Sequence, residues 1–474
     1  MFFSGEFFYI AAIDKTESPP YNKNKYRIHR RVIMKLLKRI SLVLALVLTF
    51  ACGSFGCAGA DGAAGGYDHG ADYRDETSRE EEKDTEGNRF DGMTACAWDD
   101  NENYEYWLSM FEEVAQKNSE IIDDNSSVDE ERESLKKEPT DGSGETTPDA
   151  DEKQYSTAGK LYNYKKAWGL DSENRVVVTV NDGTSGVSGV AVICYDGEGN
   201  AVYAAKTNAN GVAYLFPSDD EGRAEIANEQ GKFSENFDKE NRNIVFSDVS
   251  GFKAKSNLIE IMLVVDVTGS MGDEINFLKN QLSSVITRVS AFDKQTKIML
   301  SMLFYRDSCD DKEFSYYDFK EVTDETGRNA QLAALKKQYA DGGGDYPESV
   351  AEALEIAVNK QWSGSNSTKL IFHVLDAPPH EGQSYQTIFK KSVFKAAEKG
   401  IRICPILASG ADMLTEYLTR QEAILTGGTF VYVTDDSGNG NAHYDPKLPV
   451  TIVERLDSLM VRLIRGSHTG TFEK

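Results

Sequence analysis

Ile259 to Val265 is an unbroken apolar run, free of charge after Glu260, and it ends directly on Asp266-Val267-Thr268-Gly269-Ser270-Met271. A strand this apolar is covered on both faces, which implies a parallel sheet lying between helices. The pattern downstream agrees. Ile275, Leu278, Leu282, Val285 and Val289 mark one face of a helix. Lys297 to Tyr305 reads as a strand, and Ser349 to Trp362 as a helix entered through Pro347, a favoured first-turn residue. Leu370 to Leu375, Ile401 to Ala408 and Thr429 to Val433 are further strands; Lys391 to Lys399 and Val450 to Ile464 contribute helices. This alternation predicts a doubly wound, Rossmann-like α/β domain over 257–466.

In such sheets ligands bind beyond the carboxyl ends of the strands, and the polar residues fall there. Asp266, Thr268 and Ser270 follow the first strand at a spacing that sends alternate side chains the same way. Asp376-Ala377-Pro378-Pro379-His380 follows Leu370 to Leu375, and Asp341-Gly342-Gly343-Gly344-Asp345-Tyr346-Pro347-Glu348 lies between the two. Carboxylates and hydroxyls are hard oxygen donors, suited to Mg²⁺, Mn²⁺ or Ca²⁺. Taken singly each loop has a plainer reading, because an Asp at a strand end commonly caps the next helix. Three loops in order on an α/β pattern supply the context that a motif needs.

Asp266-x-Thr268-x-Ser270 resembles the D-x-[ST]-x-S signature of von Willebrand factor A domains, the metal-ion-dependent adhesion site. Gly-Gly-Gly-Asp-x-Pro-Glu, Asp-Ala-Pro-Pro-His and the stretch from Thr415-Glu416-Tyr417-Leu418 to Thr426-Gly427-Gly428-Thr429 resemble a subgroup found in secreted bacterial and extracellular-matrix proteins. The resemblance implies hydroxyl ligation by Thr268 and Ser270, with Asp266 and Asp376 binding directly or through water. Many relatives place a Thr in the second loop where this chain has Asp345. The expected metal set is therefore Asp266, Thr268, Ser270, Asp345 and Asp376. His380 reads as a loop residue held by its prolines, and Asp435 to Gly440 as a surface loop lacking the twelfth-position Glu of an EF-hand.

The function implied is recognition of a protein or matrix partner, whose acidic side chain completes the metal's shell. Two alternatives are a metal-assisted hydrolase and an accessory, regulatory subunit like the chelatase-associated members of the superfamily. Hydrolysis needs a general base near metal-bound water. Only Glu348 and His380 are near in sequence, and neither a Ser-His-Asp arrangement nor H-E-x-x-H is present, so no enzyme is expected.

With 474 residues, the chain exceeds one compact core. Residues 158–252 read as an antiparallel, immunoglobulin-like β-sandwich. Val176, Val178 and Val180 alternate with Val177 and Thr179, Val190 to Tyr195 and Ala201 to Lys206 flank an Asp-Gly-Glu-Gly-Asn turn, and Val212 to Phe216 and Ile244 to Phe246 follow. The segment also resembles carboxypeptidase-regulatory-like modules and is read as a spacer. Residues 61–157 are acidic and rich in Gly, Ser, Thr and Asn, the signature of a disordered linker. Within them Tyr104, Trp107, Leu108, Phe111 and Val114 predict a short amphipathic helix near 99–118, which docks on a neighbouring domain or on a partner.

Residues 1–60 read as a leader. Met34 opens a basic segment followed by the apolar run Ile40 to Ala51, which is shorter than a membrane span. Ala58-Gly59-Ala60 fits a cleavage site, so the expected signal peptide is 34–60. Lipidation at Cys52 or Cys57 is the alternative. The expected location is thus secreted or bacterial cell surface, with no integral membrane span after leader removal. A net charge of −25 argues against nucleic acid as a partner. Six scattered cysteines hold no C-x-x-C zinc framework.

Overall fold

The structure, a computed structural model, describes residues 92–111, 157–344, 346–434, 446, 448–449 and 451–472. All belong to one unit, 82–474. The leader, the signal-peptide and lipidation sites, 61–91, 112–156, Asp345 and the 435–440 loop lie outside the described residues.

An eight-stranded sheet organises the C-terminal part. Its order is β11 (Phe314–Glu321), β10 (Lys297–Tyr305), β9 (Leu258–Asp266), β12 (Thr368–Leu375), β13 (Ile401–Leu407), β14 (Phe430–Thr434), β1 (Thr94–Trp98) and β15 (Glu454–Arg455). The five strands β10-β9-β12-β13-β14 are parallel. β9 and β12 are buried along almost their whole length, as expected for strands covered by helices on both sides. The chain runs outward from β9 to β10 on one side and from β12 to β13 on the other, so strand order reverses between β9 and β12. That is the switch point at which such sheets open a crevice.

Helices fill both layers. Between β9 and β10 runs Gly272–Ser290 (α2); Glu325–Lys336 (α3) and Val350–Asn359 (α4) precede β12. Gln383–Lys399 (α5), Met413–Thr426 (α6) and Leu456–Thr469 (α7) complete the set. α3 was not expected from the sequence. Asp324 caps it, its side chain accepting from the Gly327 amide at 3.0 Å.

The linker reading of 61–157 requires correction at 92–111. Thr94–Trp98 is a strand that pairs antiparallel with β14 on one side and β15 on the other. Its sequence, Thr-Ala-Cys-Ala-Trp, is a weak strand former, and pairing on both edges supplies what propensity does not. Residues 104–111 are helical, and Trp107 is fully buried. Behind the strand, Arg420 of α6 reaches both oxygens of Asp100, with Nε at 2.9 Å and Nη2 at 2.5 Å, and Glu416 through Nη1 at 3.0 Å. The Trp98 indole donates to Asp100 at 3.0 Å, and the guanidinium stands 4.8 Å from the Trp107 ring. The N-terminal segment is thereby locked into the α/β domain.

Residues 158–252 differ from the sandwich expectation in two ways. They open with a helix, Thr157–Trp168 (α1), whose Trp168 meets Phe389 of α5 edge-on at 5.6 Å. The strands that follow form a four-stranded sheet, β4 (Ala201–Lys206), β3 (Ala191–Asp196), β6 (Gly222–Asn228) and β7 (Gly231–Phe237), and a three-stranded one, β5 (Val212–Leu215), β2 (Val176–Val180) and β8 (Asn243–Phe246). β2 and β8 pair in parallel, not antiparallel. The entire four-stranded sheet intervenes in sequence between them, giving the long return that a parallel pair needs. Val178, Cys194, Leu215, Ile226 and Phe246 of the two sheets share one core with α4 and α5. Among the described residues no helix is long and apolar enough to cross a membrane.

Candidate metal centre

β9 delivers Asp266 to the switch point, and backbone hydrogen bonds tie three loops around it. Val267 N–H donates to Tyr305 O at the end of β10 (2.9 Å). The first loop meets the second through Gly269 N–H to Gly342 O (3.2 Å) and Asp341 N–H to Val267 O (3.1 Å). The second meets the third through Glu348 N–H to Pro378 O (3.0 Å). Gly342 and Gly343 sit at φ of 78° and 79°, a region that favours glycine. A Cβ on Gly343 would lie 2.9 Å from Glu348 Oε1 and 3.2 Å from Thr268 Cβ. The triple glycine is what lets the second loop lie against Thr268.

Of the expected ligands, the structure gathers Asp266, Thr268, Ser270 and Asp376. Asp266 is fully buried, and its Oδ1 accepts from the Thr268 amide at 2.8 Å and the Thr268 hydroxyl at 2.7 Å. Its Oδ2 is buried with no hydrogen-bond partner. The Ser270 hydroxyl bonds the Asp376 carboxylate. Two carboxylate–hydroxyl pairs thus lie at this end of the sheet. Among the described residues no group of three or more His, Cys, Asp or Glu side chains could hold a metal alone; the gathered set is two carboxylates and two hydroxyls.

The site concentrates buried carboxyl groups. Burial, with Asp376 next, pushes the Asp266 carboxyl up to about 7. Burial also raises Asp376, partly opposed by the Ser270 hydroxyl. Glu348 is buried with Oε2 unpartnered; burial, then Asp266, Asp307 and Asp376, push it to about 9. On α2, Glu274 is raised by burial as well; its Oε1 accepts from the Ser409 hydroxyl at 3.0 Å and its Oε2 has no partner. A buried carboxylate oxygen without a donor costs free energy unless it is protonated or meets a cation. The donor set fits a hard divalent ion.

This arrangement has a pH consequence for the metal-free protein. Asp266 and Glu348 have folded pKa values above their unfolded ones, so the stability they allow is full below about 4 and lost as pH rises through about 7 and then about 9. Thermal melts in metal-free buffer are expected to fall in midpoint from pH 5 to pH 9, and Mg²⁺ is expected to restore most of the loss at pH 8. A flat profile would contradict these assignments.

Several site residues were not evident from sequence. His380 is not merely a loop residue, because its Nε2 lies 2.6 Å from Asp307 Oδ1. Asp310 accepts from the Gly343 amide at 3.0 Å and so helps shape the second loop. Beneath Asp266, the Tyr305 hydroxyl lies 3.3 Å from His373 Nε2, and His373 Nδ1 lies 3.0 Å from Glu422. The one signal for this buried chain was a lone His inside the apolar run Leu370 to Leu375.

Residues 260–434 match the family model described as von Willebrand factor A domain. A protein of Acanthamoeba polyphaga mimivirus, named as an ariadne-like RING finger protein, is 24% identical over 136 residues. That match spans 29% of this chain and 13% of the viral protein. Among solved structures, the conserved hypothetical protein BatB from Bacteroides thetaiotaomicron is 15% identical, with a TM-score of 0.27 over 37% of this chain and 89% of its own. The pilus adhesin SpaC from Lactobacillus rhamnosus GG is 12% identical, with a TM-score of 0.28 over 44% of this chain and 29% of its own.

Proposed function

We propose that the von Willebrand factor A domain at 260–434 is the partner-binding unit of an exported protein, and that it recognises a protein or matrix ligand through a divalent cation, Mg²⁺ or else Mn²⁺ or Ca²⁺. The observation that carries this reading is Asp266 Oδ2, a buried carboxylate oxygen with no donor at the strand-order switch point, beside the Thr268 hydroxyl and the Ser270–Asp376 pair. Bound there, the cation would satisfy that oxygen and supply Lewis-acid attraction for an incoming carboxylate. Thr268 and Ser270 would offer neutral oxygens, which leave the cation's charge less cancelled than carboxylates would.

Asp345 belongs to this proposal as a further acidic ligand. It would favour retention of the cation and lessen the pull on an acidic partner, since like charges repel at close range. The two sheets of 176–246 act as an immunoglobulin-like spacer, and the basic and apolar leader supplies export. The test is capture of partners from an extracellular extract by the full chain. Capture is expected to stop on chelation, return with Mg²⁺, and be absent for Asp266→Ala. Capture indifferent to chelator and to that substitution would contradict the proposal.

A further inference from the structure

At the opposite end of the sheet from Asp266, where β12 and β13 begin, a cavity of about 240 Å³ opens between the four-stranded β-sheet with its loops at 188–190 and 207–209, the connector 252–255 and the α/β domain. Six of its lining residues are cations: Lys206, Lys253, Lys255, Lys369, Lys399 and Arg402. Among the described residues lining it, none is Asp or Glu. In a chain of net charge −25 this concentration of one sign is not what composition alone would place there.

Glu260 stands 3.8 Å from Lys369, and it already accepts from Ser363 and Ser367. The Lys369 ammonium donates to Ser365 O at 3.1 Å and the Ser367 hydroxyl at 2.8 Å, and Lys399 donates to Val358 O at 2.7 Å. Among the described residues, Lys253, Lys255, Lys399 and Arg402 make no ion pair with a carboxylate. Loss of hydration lowers the pKa of Lys255, Lys369, Lys399 and Arg402; Arg402 lowers Lys255 further, while at Lys369 Glu260 opposes the shift and Lys206 adds to it. The walls are fixed before any ligand arrives. Asn366 Nδ2 donates to Ser188 O (2.9 Å) and Lys253 O (3.0 Å), while Asn366 O accepts from Ser256 N–H (2.9 Å), so one side chain and its carbonyl join all three walls.

We propose that this cavity binds a small, multiply charged oxyanion of the phosphate or sulfate type. Lysine and arginine side chains line it from the four-stranded sheet, the connector and the α/β domain, which suits a tetrahedral group with acceptor oxygens on every side. The volume lies below that of a drug-sized site, which fits a ligand on the scale of pyrophosphate or a monosaccharide ester. Because it touches both modules, the bound anion would hold the β-sheets of 176–246 against the α/β domain.

The experiment is isothermal titration of the full chain, in buffer stripped of divalent ions by chelating resin. The probes are inorganic pyrophosphate and a sulfated monosaccharide, each against sodium chloride of matched ionic strength. One saturable site is expected for at least one probe, and the tighter of the two identifies the source of the oxyanion. Arg402→Gln is expected to weaken binding at least tenfold. The exposed pair Lys253→Gln and Lys255→Gln together should weaken it several-fold while leaving the melting temperature of the ligand-free chain unchanged, which separates binding from folding. Absence of saturable heat above the chloride blank for both probes, or wild-type affinity in both variants, would overturn the proposal.

Discussion

Asp266→Ala is expected to erase the rise in melting temperature that Mg²⁺ gives the native protein. A ligand that binds only the folded state stabilises it by about 2.7 kcal/mol at a concentration 100 times its Kd. Asp266 supplies the buried oxygen that has no other donor, so its removal takes away both charge and contact. The companion substitution Asp266→Asn separates loss of metal from loss of stability. It keeps an acceptor for Thr268 while removing a buried negative charge whose pKa is pushed up to about 7. In metal-free buffer at pH 8, Asp266→Asn should therefore be at least as stable as the native chain, yet fail to respond to Mg²⁺. Differential scanning calorimetry with and without Mg²⁺ reads both effects. A native-size Mg²⁺ response in either variant would remove Asp266 from the site.

The largest loss of stability is expected from Arg420→Met. The guanidinium and its partners Asp100 and Glu416 are buried. Removing one partner of a buried ion pair leaves charge uncompensated and costs about 3–5 kcal/mol. Here two carboxylates would be stranded, and one of them, Asp100, lies two residues after the end of β1. Urea unfolding of the Arg420→Met chain should show that loss, and Asp100→Asn added to it should recover part, giving a measurable coupling energy. A loss below about 1 kcal/mol would mean that the cluster does not anchor the N-terminal strand, since that is the range of exposed pairs.

The legible part of the site is the part written locally. Asp266, Thr268 and Ser270 lie within one turn of chain after an unmistakable buried strand, and Asp376 follows the next central strand directly. Chain order alone therefore places them at one edge of a parallel sheet. Glu274, Asp307 and the His373–Glu422 pair were hidden because their partners, Ser409, His380 and one another, are far away in sequence. Burial of a charge is decided by what packs over it, and no local pattern reports that. The same reason explains β1. Its alanines and its acidic surroundings read as linker, and only the edges of β14 and β15 make Thr94–Trp98 a strand. The parallel pairing of β2 with β8 was likewise invisible, since alternation of apolar residues fixes a strand's faces and not the direction of its neighbour.

The divalent cation proposed above would sit at the ends of β9 and β12. Its most direct test is anomalous diffraction from crystals of the chain grown with Mn²⁺, collected on both sides of the manganese edge. The account predicts a single strong anomalous peak enclosed by Asp266, Thr268, Ser270 and Asp376, and absent from crystals of Asp266→Ala grown in the same Mn²⁺. Native crystals with no peak in that crevice, or with manganese only at other carboxylates, would contradict it.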